Sequence, residues 1–356
     1  MINNSVPLIK PQLLSLKLHS RHQETTNIVS FDWEVRTEDG TPFRHYPGQA
    51  VSLSFVYKGE NAIRTFTIAS PPSDNNRIVL TIKAGVNAKT TRYMHENWGA
   101  GTTISARGPF GKFSLIHTPK TPLLLIGAGS GITPMLSMIN WLFERNEQQT
   151  DIVFLQQAAT PNDLLCQSQL NNIDAAMPNV VQINCVTTVP YGEAWSGFRG
   201  LLSRASLNTL VPDIAKRTIF CCGPEGFNTL IRKIYLAQGG SAEKFLTESF
   251  GAKKADITVS KNTKQVLDNN ALTVDLDGHI FNNLHGKTIV ESAASNGIKI
   301  PTGCQEGYCG TCKLKLKSGS VNMQHNGGIS STEEEDGYIL ACSSHATSNL
   351  EVTRNY

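Results

Sequence analysis

The chain contains 356 residues, of which 40% are hydrophobic and 17% charged, a composition typical of folded globular proteins and not of disordered or fibrous ones. The formal net charge of +3 is too small to indicate a nucleic-acid or membrane-surface ligand. The N-terminus lacks a basic segment followed by an apolar one, and glycine and proline interrupt the uncharged run at 121–143. We therefore expect a cytoplasmic protein of about two or three domains that binds neither nucleic acid nor membrane.

Residues 1–117 are predicted to form a small antiparallel β-barrel. Short runs in which polar and apolar residues alternate are separated by proline- and glycine-rich turns, and these runs lie at 28–35, 50–55, 63–69 and 78–83. A helix is expected to begin after Thr90 or Thr91. The run at 63–69 places an arginine, an aromatic residue and a hydroxyl residue together at Arg64, Phe66 and Thr67.

Residues 118–250 are predicted to form an α/β domain with a parallel sheet. A continuous apolar run at 123–126 precedes the turn Gly127-Ala-Gly129-Ser-Gly131-Ile-Thr133, which opens a helical pattern. Glycines allow the backbone to approach a pyrophosphate, and a helix N-terminus offers unpaired N–H groups. A second turn, Cys222-Gly223-Pro224, also follows an apolar strand. Two such turns at the carboxyl ends of parallel strands predict one nucleotide-binding crevice.

Residues 251–270 are polar and are predicted to be a linker, and residues 271–356 form a third domain. Four of the eight cysteines lie in this third domain, at Cys304, Cys309, Cys312 and Cys342. The C-x4-C-x2-C…C spacing is that of plant-type 2Fe-2S ferredoxins, in which each iron takes two protein thiolates. A structural zinc site is the alternative, but zinc sites prefer paired C-x2-C motifs, and the cluster sequence contains one such pair. The spacing therefore favours an iron–sulfur cluster. Two other cysteines, Cys166 and Cys185, are predicted to be buried apolar thiols.

Taken in order, these motifs resemble two known families. Residues 25–250 resemble the ferredoxin–NADP reductase family, through Arg64-x-Phe66-Thr67, Gly108–Phe113, Gly127–Pro134 and Cys222-Gly-Pro. Residues 271–356 resemble the plant-type ferredoxin family around the four cysteines, which implies a β-grasp fold and one-electron transfer. The resemblance thus implies FAD, a nicotinamide nucleotide and a 2Fe-2S cluster as cofactors.

The resemblance also assigns roles to individual residues. Arg64 would pair with the FAD pyrophosphate, Phe66 would stack on the isoalloxazine, and Thr67 would hydrogen-bond near flavin N5. The remaining flavin phosphate site would be lined by Lys83, Thr90 and Thr91, and the nucleotide site by Gly127, Gly129, Gly131, Thr133, Gly223 and Pro224. Cys222 would lie near the nicotinamide, Phe250 against the flavin, and Glu248 would act as a proton or hydrogen-bond relay.

Some positions depart from the family pattern. Phe66 replaces the commoner tyrosine, which keeps the stacking but removes a hydroxyl. The segment Gly85–Thr91 lacks the expected glycine pair before the flavin helix. Several relatives carry an arginine after the second nucleotide strand, where this chain has Ala158-Ala-Thr-Pro161, so NADH is favoured over NADPH.

The three modules together predict a reductase that takes a hydride from NADH, passes it to FAD and releases single electrons through the cluster to a partner protein. Local similarity at 134–142, 197–204 and 211–213 to reductases of hybrid-cluster proteins favours such a protein as the acceptor. The alternatives are the reductase component of a Rieske-type or other multicomponent oxygenase, and a redox sensor without turnover. A complete enzyme acting on a small molecule is disfavoured, because the sequence shows neither a haem-ligand helix nor a mononuclear iron motif.

The third domain carries more acidic than basic residues, and this imbalance predicts a basic docking patch on the acceptor. The acceptor would approach the cluster loop at 305–308. The acidic run at 333–336 is predicted to be a solvated helix start, with partner docking as a secondary interpretation.

Overall fold

The computed structural model of the chain describes residues 9–85, 88–117, 121–248, 272–302, 305, 307, 310–325, 328–329 and 331–354. Contacts between Cα atoms divide the chain into two compact units. The first contains residues 1–51, 66–109 and 113–250, and the second contains 52–65, 110–112 and 251–356.

The N-terminal sheet has six strands with one helix between the last two. They are β1 (Gln12–Thr25), β2 (Ile28–Thr37), β3 (Ala50–Tyr57), β4 (Glu60–Thr67), β5 (Arg77–Lys83), helix α1 (Lys89–Asn97) and β6 (Thr103–Phe110). The strand order is β4-β3-β6-β1-β2-β5. Alternate residues of β1, such as Leu14, Leu16 and Leu18, are buried, because successive side chains of a strand point to opposite faces. An antiparallel bridge joins Ile68, directly after β4, to Leu80 on β5, so the two edges of the sheet meet. This closure confirms the predicted barrel.

The second sheet is parallel throughout the described pairings. It follows the alternation β7 (Leu123–Ala128), α2 (Thr133–Glu144), β8 (Ile152–Ala158), α3 (Gln167–Ala176), β9 (Val180–Val186), β10 (Phe198–Arg199), α4 (Arg204–Leu210), β11 (Thr218–Cys222), α5 (Glu225–Ala237) and β12 (Phe245–Glu248). The strand order is β10-β9-β8-β7-β11-β12. The chain therefore reverses its direction of winding beside β7, and such a switch point is where open α/β sheets bind ligands.

Apolar clusters cover both faces of this parallel sheet. One cluster includes Met135 and Ile139 of α2, and the other includes Ile231 and Tyr235 of α5. The near-continuous apolar strand at 123–126 is explained by this double coverage.

The C-terminal region forms a mixed five-stranded sheet and a two-stranded ribbon. Its elements are β13 (Thr273–Leu276), β14 (His279–Asn282), α6 (Ile289–Ser295), β15 (Lys313–Ser318), β16 (Val321–Met323), α7 (Ser331–Glu335), β17 (Tyr338–Leu340), β18 (Ser344–Ala346) and β19 (Leu350–Thr353). The larger sheet has the order β14-β13-β19-β15-β17, in which β13 runs parallel to β19. Helix α6 starts at a capping box between Thr288 and Glu291 and buries Ile289 and Ala293 in the core of the sheet. This arrangement agrees with the predicted β-grasp fold.

Most helices and strands were predicted correctly from the sequence, but the first residues of some were not. Strand β4 begins three residues before the predicted run, and α1 begins at Lys89, one residue before Thr90. Among the described residues, no helix has the length and apolarity needed to cross a membrane. The predicted domain boundaries, including the linker at 251–270, which lies outside the described residues, remain predictions.

Candidate functional site

The two predicted glycine turns meet at the carboxyl ends of β7 and β11. These strands are neighbours in the parallel sheet, and Gly127 pairs with Cys222 in their register. A Cβ atom built on Gly131 would lie 2.3 Å from the carbonyl oxygen of Cys222 and 2.8 Å from the Cα of Gly223. The backbones of the two turns are therefore in direct contact, and only glycine fits at position 131.

Helix α2 begins at the end of the first turn. Thr133 is 2% exposed, and its hydroxyl donates to the carbonyl oxygen of Ser130 at 3.0 Å. Gly129, inside the turn, has a positive φ of 56°. The turn thus leads the backbone tightly into a helix N-terminus, whose N–H groups suit a phosphate of a nucleotide.

Three of the four predicted catalytic residues are brought together across the sheet and the barrel. Cys222 is fully buried at the end of β11, and its register partner on β12 is Glu248, which is 8% exposed. The hydroxyl of Thr67 on β4 donates to Oε2 of Glu248 at 3.4 Å. Thr67 of the barrel and the residues Cys222 and Glu248 of the α/β domain are therefore adjacent. The fourth, Phe250, lies outside the described residues.

A buried amide that the sequence analysis missed joins these elements. Asn228 on α5 is 8% exposed, and its Nδ2 donates to the carbonyl oxygens of Gly223 at 3.2 Å and of Glu248 at 2.9 Å. Its Oδ1 accepts a hydrogen bond from the Sγ of Cys221 at 3.4 Å. Asn228 shares the buried face of α5 with Ile231 and Tyr235. A polar residue in an apolar 3–4 spacing was the signal that could have identified it.

The predicted flavin residues lie on β4, at the end of β5 and at the start of α1. Phe66 is half-buried and Thr67 is buried on β4, while Thr90 is buried in the first turn of α1. Lys83 is exposed, and its Nζ lies 3.7 Å from the position that a Cβ of Gly129 would take. An ammonium group therefore lies beside the glycine turn, where it can meet an anionic group.

Two further predicted flavin residues, Arg64 and Thr91, each donate a hydrogen bond to a nearby backbone carbonyl. Arg64 is exposed, and its Nη1 donates to the carbonyl oxygen of Ile63 at 2.7 Å. Thr91 is half-buried, and its hydroxyl donates to the carbonyl oxygen of Ala88 at 3.4 Å. The exposed guanidinium and the buried hydroxyl of Thr90 are donor groups of the kind that bind a phosphate.

The turn after β8, whose residues 159–163 are all described, presents a carboxylate and no basic side chain. The backbone N–H and the hydroxyl of Thr160 donate to Oδ2 of Asp163 at 3.0 and 2.7 Å. Beside it, Nδ2 of Asn162 donates to Oε1 of Glu193 at 3.3 Å, which links this turn to the loop after β9. The turn and the loop residue that it contacts therefore each present a carboxylate.

Two of the four predicted cluster ligands are described, and both fit a thiolate site. Cys312 and Cys342 are 3% and 8% exposed and form no disulfide. The backbone N–H of Cys342 donates to Sγ of Cys312 at 3.4 Å, an interaction that stabilises negative charge on sulfur. Gly307, in the cluster loop, has a φ of 71° and packs against His325. Cys304 and Cys309 lie outside the described residues.

The acidic run at 333–336 lies on and directly after α7 and is largely exposed, as predicted, but two of its acids have partners within the domain. Glu333 pairs with Nζ of Lys313 at 2.9 Å, and Glu334 pairs with Nε2 of His325 at 2.8 Å. Lys313 thereby partly neutralises Glu333, whereas Glu334 is neutralised only where His325 is protonated. The charge that α7 offers to a partner is smaller than the sequence count indicates.

The two cysteines predicted to be buried apolar thiols differ from each other. Cys185 is fully buried, and burial raises its pKa to about 12. Cys166 is only half-buried, and its Sγ lies 3.9 Å from Oε2 of Glu24. Burial and this carboxylate raise the pKa of Cys166 to about 12, so both thiols stay protonated at neutral pH.

Comparison with known proteins identifies all three modules. An oxidoreductase FAD-binding domain matches residues 15–115, an oxidoreductase NAD-binding domain matches 125–233, and a 2Fe-2S iron-sulfur cluster binding domain matches 272–347. The chain is 33% identical over 352 residues to the glycine betaine monooxygenase reductase subunit of Chromohalobacter salexigens, covering 94% of this chain and 95% of that protein. It is 34% identical over 339 residues to the stachydrine N-demethylase reductase subunit Stc4 of Rhizobium meliloti, covering 95% of each.

Two further comparisons place these matches in context. The chain is 27% identical over 340 residues to the NADH oxidoreductase HCR of Escherichia coli, covering 94% of this chain and 96% of that protein. Among solved structures, phthalate dioxygenase reductase superposes with a TM-score of 0.57 at 21% identity, covering 96% of this chain and 97% of that one. At this identity, the structural match supports the fold.

Proposed function

This chain belongs to the family of reductases that join an FAD-binding, an NAD-binding and a 2Fe-2S domain, and we propose that within this family it is the reductase component of an oxygenase. It is an oxidoreductase in which FAD takes up a hydride from a reduced nicotinamide nucleotide and delivers single electrons, through the 2Fe-2S cluster, to a redox acceptor protein. The cytoplasmic location expected from the sequence stays a prediction.

One observation carries the choice of acceptor. The identity is 33–34% to reductase subunits of a monooxygenase and a demethylase, but 27% to NADH oxidoreductase HCR, over nearly the whole chain in each case. This ranking reverses the order expected from the sequence, where a hybrid-cluster protein came first. The stretches at 134–142 and 197–204 that favoured it are scaffold elements, and a scaffold does not determine the partner.

We assign NADH as the electron donor on electrostatic grounds. The turn after β8, where dinucleotide-binding sheets recognise the adenosine ribose, carries the carboxylate of Asp163 and lies beside that of Glu193. A carboxylate can accept a hydrogen bond from a ribose 2′-hydroxyl but repels a 2′-phosphate. The absence of an arginine at 158–161 supports the same choice.

We further assign the site residues as predicted. Thr67, Cys222 and Glu248 line the hydride-transfer site, and the turns at 127–133 and 222–224 bind the nucleotide. The close contact of Gly131 with Cys222 and the hydrogen bond of Thr67 to Glu248 support this assignment. Cys222→Ala is expected to lower the limiting rate of flavin reduction more than it raises the Kd for NADH, and stopped-flow spectroscopy would measure both. An unchanged limiting rate would remove Cys222 from the site.

The acceptor is tested by reconstitution under anaerobic conditions. The purified reductase and NADH are mixed with the oxygenase component of a glycine betaine monooxygenase, with a Rieske-type oxygenase component, or with a hybrid-cluster protein. The proposal expects catalytic reduction of the oxygenase centre and product formation when oxygen is admitted. Reduction of the hybrid-cluster protein alone would transfer the assignment to that acceptor, which the 27% identity to NADH oxidoreductase HCR keeps as the second candidate.

A simpler assay distinguishes a reductase from a redox sensor without turnover. Multiple turnovers of ferricyanide or cytochrome c with NADH would exclude the sensor, whereas a single stoichiometric reduction of the cofactors would support it.

A further inference from the structure

We propose that Asn228 is a positioning residue that fixes the Cys222 turn relative to Glu248 and thereby sets the rate of hydride transfer. The inference rests on the proposed binding of the nicotinamide between these elements. Asn228 itself would touch neither cofactor.

The contacts of Asn228 are directed at three successive parts of the site. Its Nδ2 donates to the carbonyl of Gly223, in the turn, and to the carbonyl of Glu248, at the end of β12. Its Oδ1 accepts from Cys221, the residue before Cys222. One side chain thus connects the end of β11, the turn that follows it and the end of the neighbouring strand.

The orientation of the amide is fixed by its partners. Both acceptors on the Nδ2 side are backbone carbonyls, so only the NH2 end of the amide can face them. Burial raises the pKa of the Cys221 thiol, which therefore remains an S–H donor toward Oδ1. Donors and acceptors are matched around the whole group, and the amide has a single satisfied arrangement.

The connection extends to the flavin barrel through Glu248. Asn228 holds the main chain of Glu248, while the carboxylate of Glu248 accepts from the hydroxyl of Thr67 at 3.4 Å. The turn on the nicotinamide side and the strand on the flavin side are therefore held by one short chain of hydrogen bonds. A displacement of about 1 Å between reacting groups can lower a rate about a hundredfold. Loss of these hydrogen bonds should therefore slow hydride transfer.

Packing alone does not explain an asparagine at this position. The neighbouring buried residues of α5 are Ile231, Ile234 and Tyr235, and leucine has a higher helix propensity than asparagine. A buried amide is favourable only where its hydrogen bonds are made, and here they all lead to the candidate site.

The test compares two side-chain amides of the same α/β domain, one buried and one half-buried. Asn228→Leu removes the hydrogen bonds and keeps the number and branching of the side-chain heavy atoms. Asn179→Leu is the matched control, because Nδ2 of Asn179 also donates to two carbonyls, of Glu147 at 3.0 Å and of Thr150 at 2.7 Å. Asn179 precedes β9 and therefore lies at the amino-end edge of the parallel sheet, opposite the turns.

Stopped-flow reduction of the full-length holoprotein at varied NADH separates binding from hydride transfer. We expect Asn228→Leu to lower the limiting rate of flavin reduction by about tenfold or more with little change in the Kd for NADH, and Asn179→Leu to leave both unchanged. FAD content and the cluster spectrum should equal those of the wild type. An unchanged limiting rate in Asn228→Leu overturns the proposal.

Asn228→Asp supplies a second test that does not depend on the leucine variant folding. The introduced carboxyl can still donate one hydrogen bond to a carbonyl when it is protonated but not when it is ionised, and burial raises the pKa of such a carboxyl. We expect the ratio of the variant's limiting rate to the wild-type rate to rise as the pH falls. A ratio that stays constant with pH overturns the positioning role. If wild-type flavin is not reduced by NADH or NADPH, the proposed function itself fails, and that outcome is distinct from either variant result.

Discussion

Gly131→Ala is the substitution whose effect follows most directly from the geometry of the two turns. The added Cβ would lie 2.3 Å from the carbonyl oxygen of Cys222, 2.6 Å from its carbonyl carbon and 2.8 Å from the Cα of Gly223. All three atoms belong to backbone, so no side-chain rotation can relieve the overlap. The turns must separate by about 0.7 Å before the shortest of these distances reaches even 3.0 Å.

The size of the expected effect follows from that displacement. A misplacement of about 1 Å in a site that orients two reactants can cost about a hundredfold in rate. We therefore expect Gly131→Ala to lower the limiting rate of flavin reduction by NADH by about ten- to a hundredfold. FAD binding and the cluster should be unaffected, because the overlap is confined to the two nucleotide turns.

Gly226→Ala is the matched control for this prediction. Gly226 lies in the first turn of α5, three residues after Gly223, and a Cβ there would meet no atom within 4 Å. Stopped-flow traces of both variants at saturating NADH give the comparison. Wild-type rates in Gly131→Ala would refute the reasoning, because the two turns would then tolerate separation without loss of hydride transfer.

Three further predictions test other parts of the chain. Arg64→Ala should reduce the FAD retained after purification and leave the cluster spectrum intact. Arg36 is another exposed arginine of the barrel, and Arg36→Ala should retain FAD. Equal FAD content in the two variants would contradict the assignment of Arg64. Cys342→Ser should abolish the 2Fe-2S signal in EPR of the reduced protein and lower its iron and sulfide content, while the control Cys185→Ala should keep two irons per chain. Zinc in the wild-type protein would refute the assignment of an iron–sulfur cluster. Burial lowers the pKa of His45 to about 4, so the folded state holds the imidazole neutral. As the pH falls from 6.5 to 4, the wild type should therefore lose up to about 3 kcal/mol of unfolding free energy relative to His45→Gln. Urea titrations across that range would show the difference, and parallel pH dependences would refute it.

The sequence allowed the modules to be predicted because their signals are local. The alternation in β1 and β2, the apolar run of β7 and the spacing of the four cysteines each lie within a few tens of residues. Each reflects a rule that operates at short range, namely strand alternation, double-sided burial or metal-ligand spacing.

The site itself combines residues that no local pattern connects. The hydrogen bond between Thr67 and Glu248 spans 181 positions, and Asn228 is functional only in relation to two carbonyls that the fold brings to it. The partners of the acidic run at 333–336 were not predictable for the same reason, since Lys313 and His325 lie on other parts of the chain. Kinship to families supplied roles for residues, but their mutual contacts required the three-dimensional arrangement.

Because β7 pairs with β11, which lies about 90 residues later in the chain, the two nucleotide turns can meet only late in translation. The barrel strands end at Phe110, whereas β11, the partner of β7 on one side, ends at Cys222, and β12, which pairs with β11, ends at Glu248. At about 5–20 residues per second, a ribosome needs roughly 7 to 28 s to translate the chain between residues 110 and 248. Until β11 is translated, the nascent chain can hold a finished flavin barrel while the first nucleotide turn lacks the second. The domain that binds FAD is thus complete before the two nucleotide turns can meet.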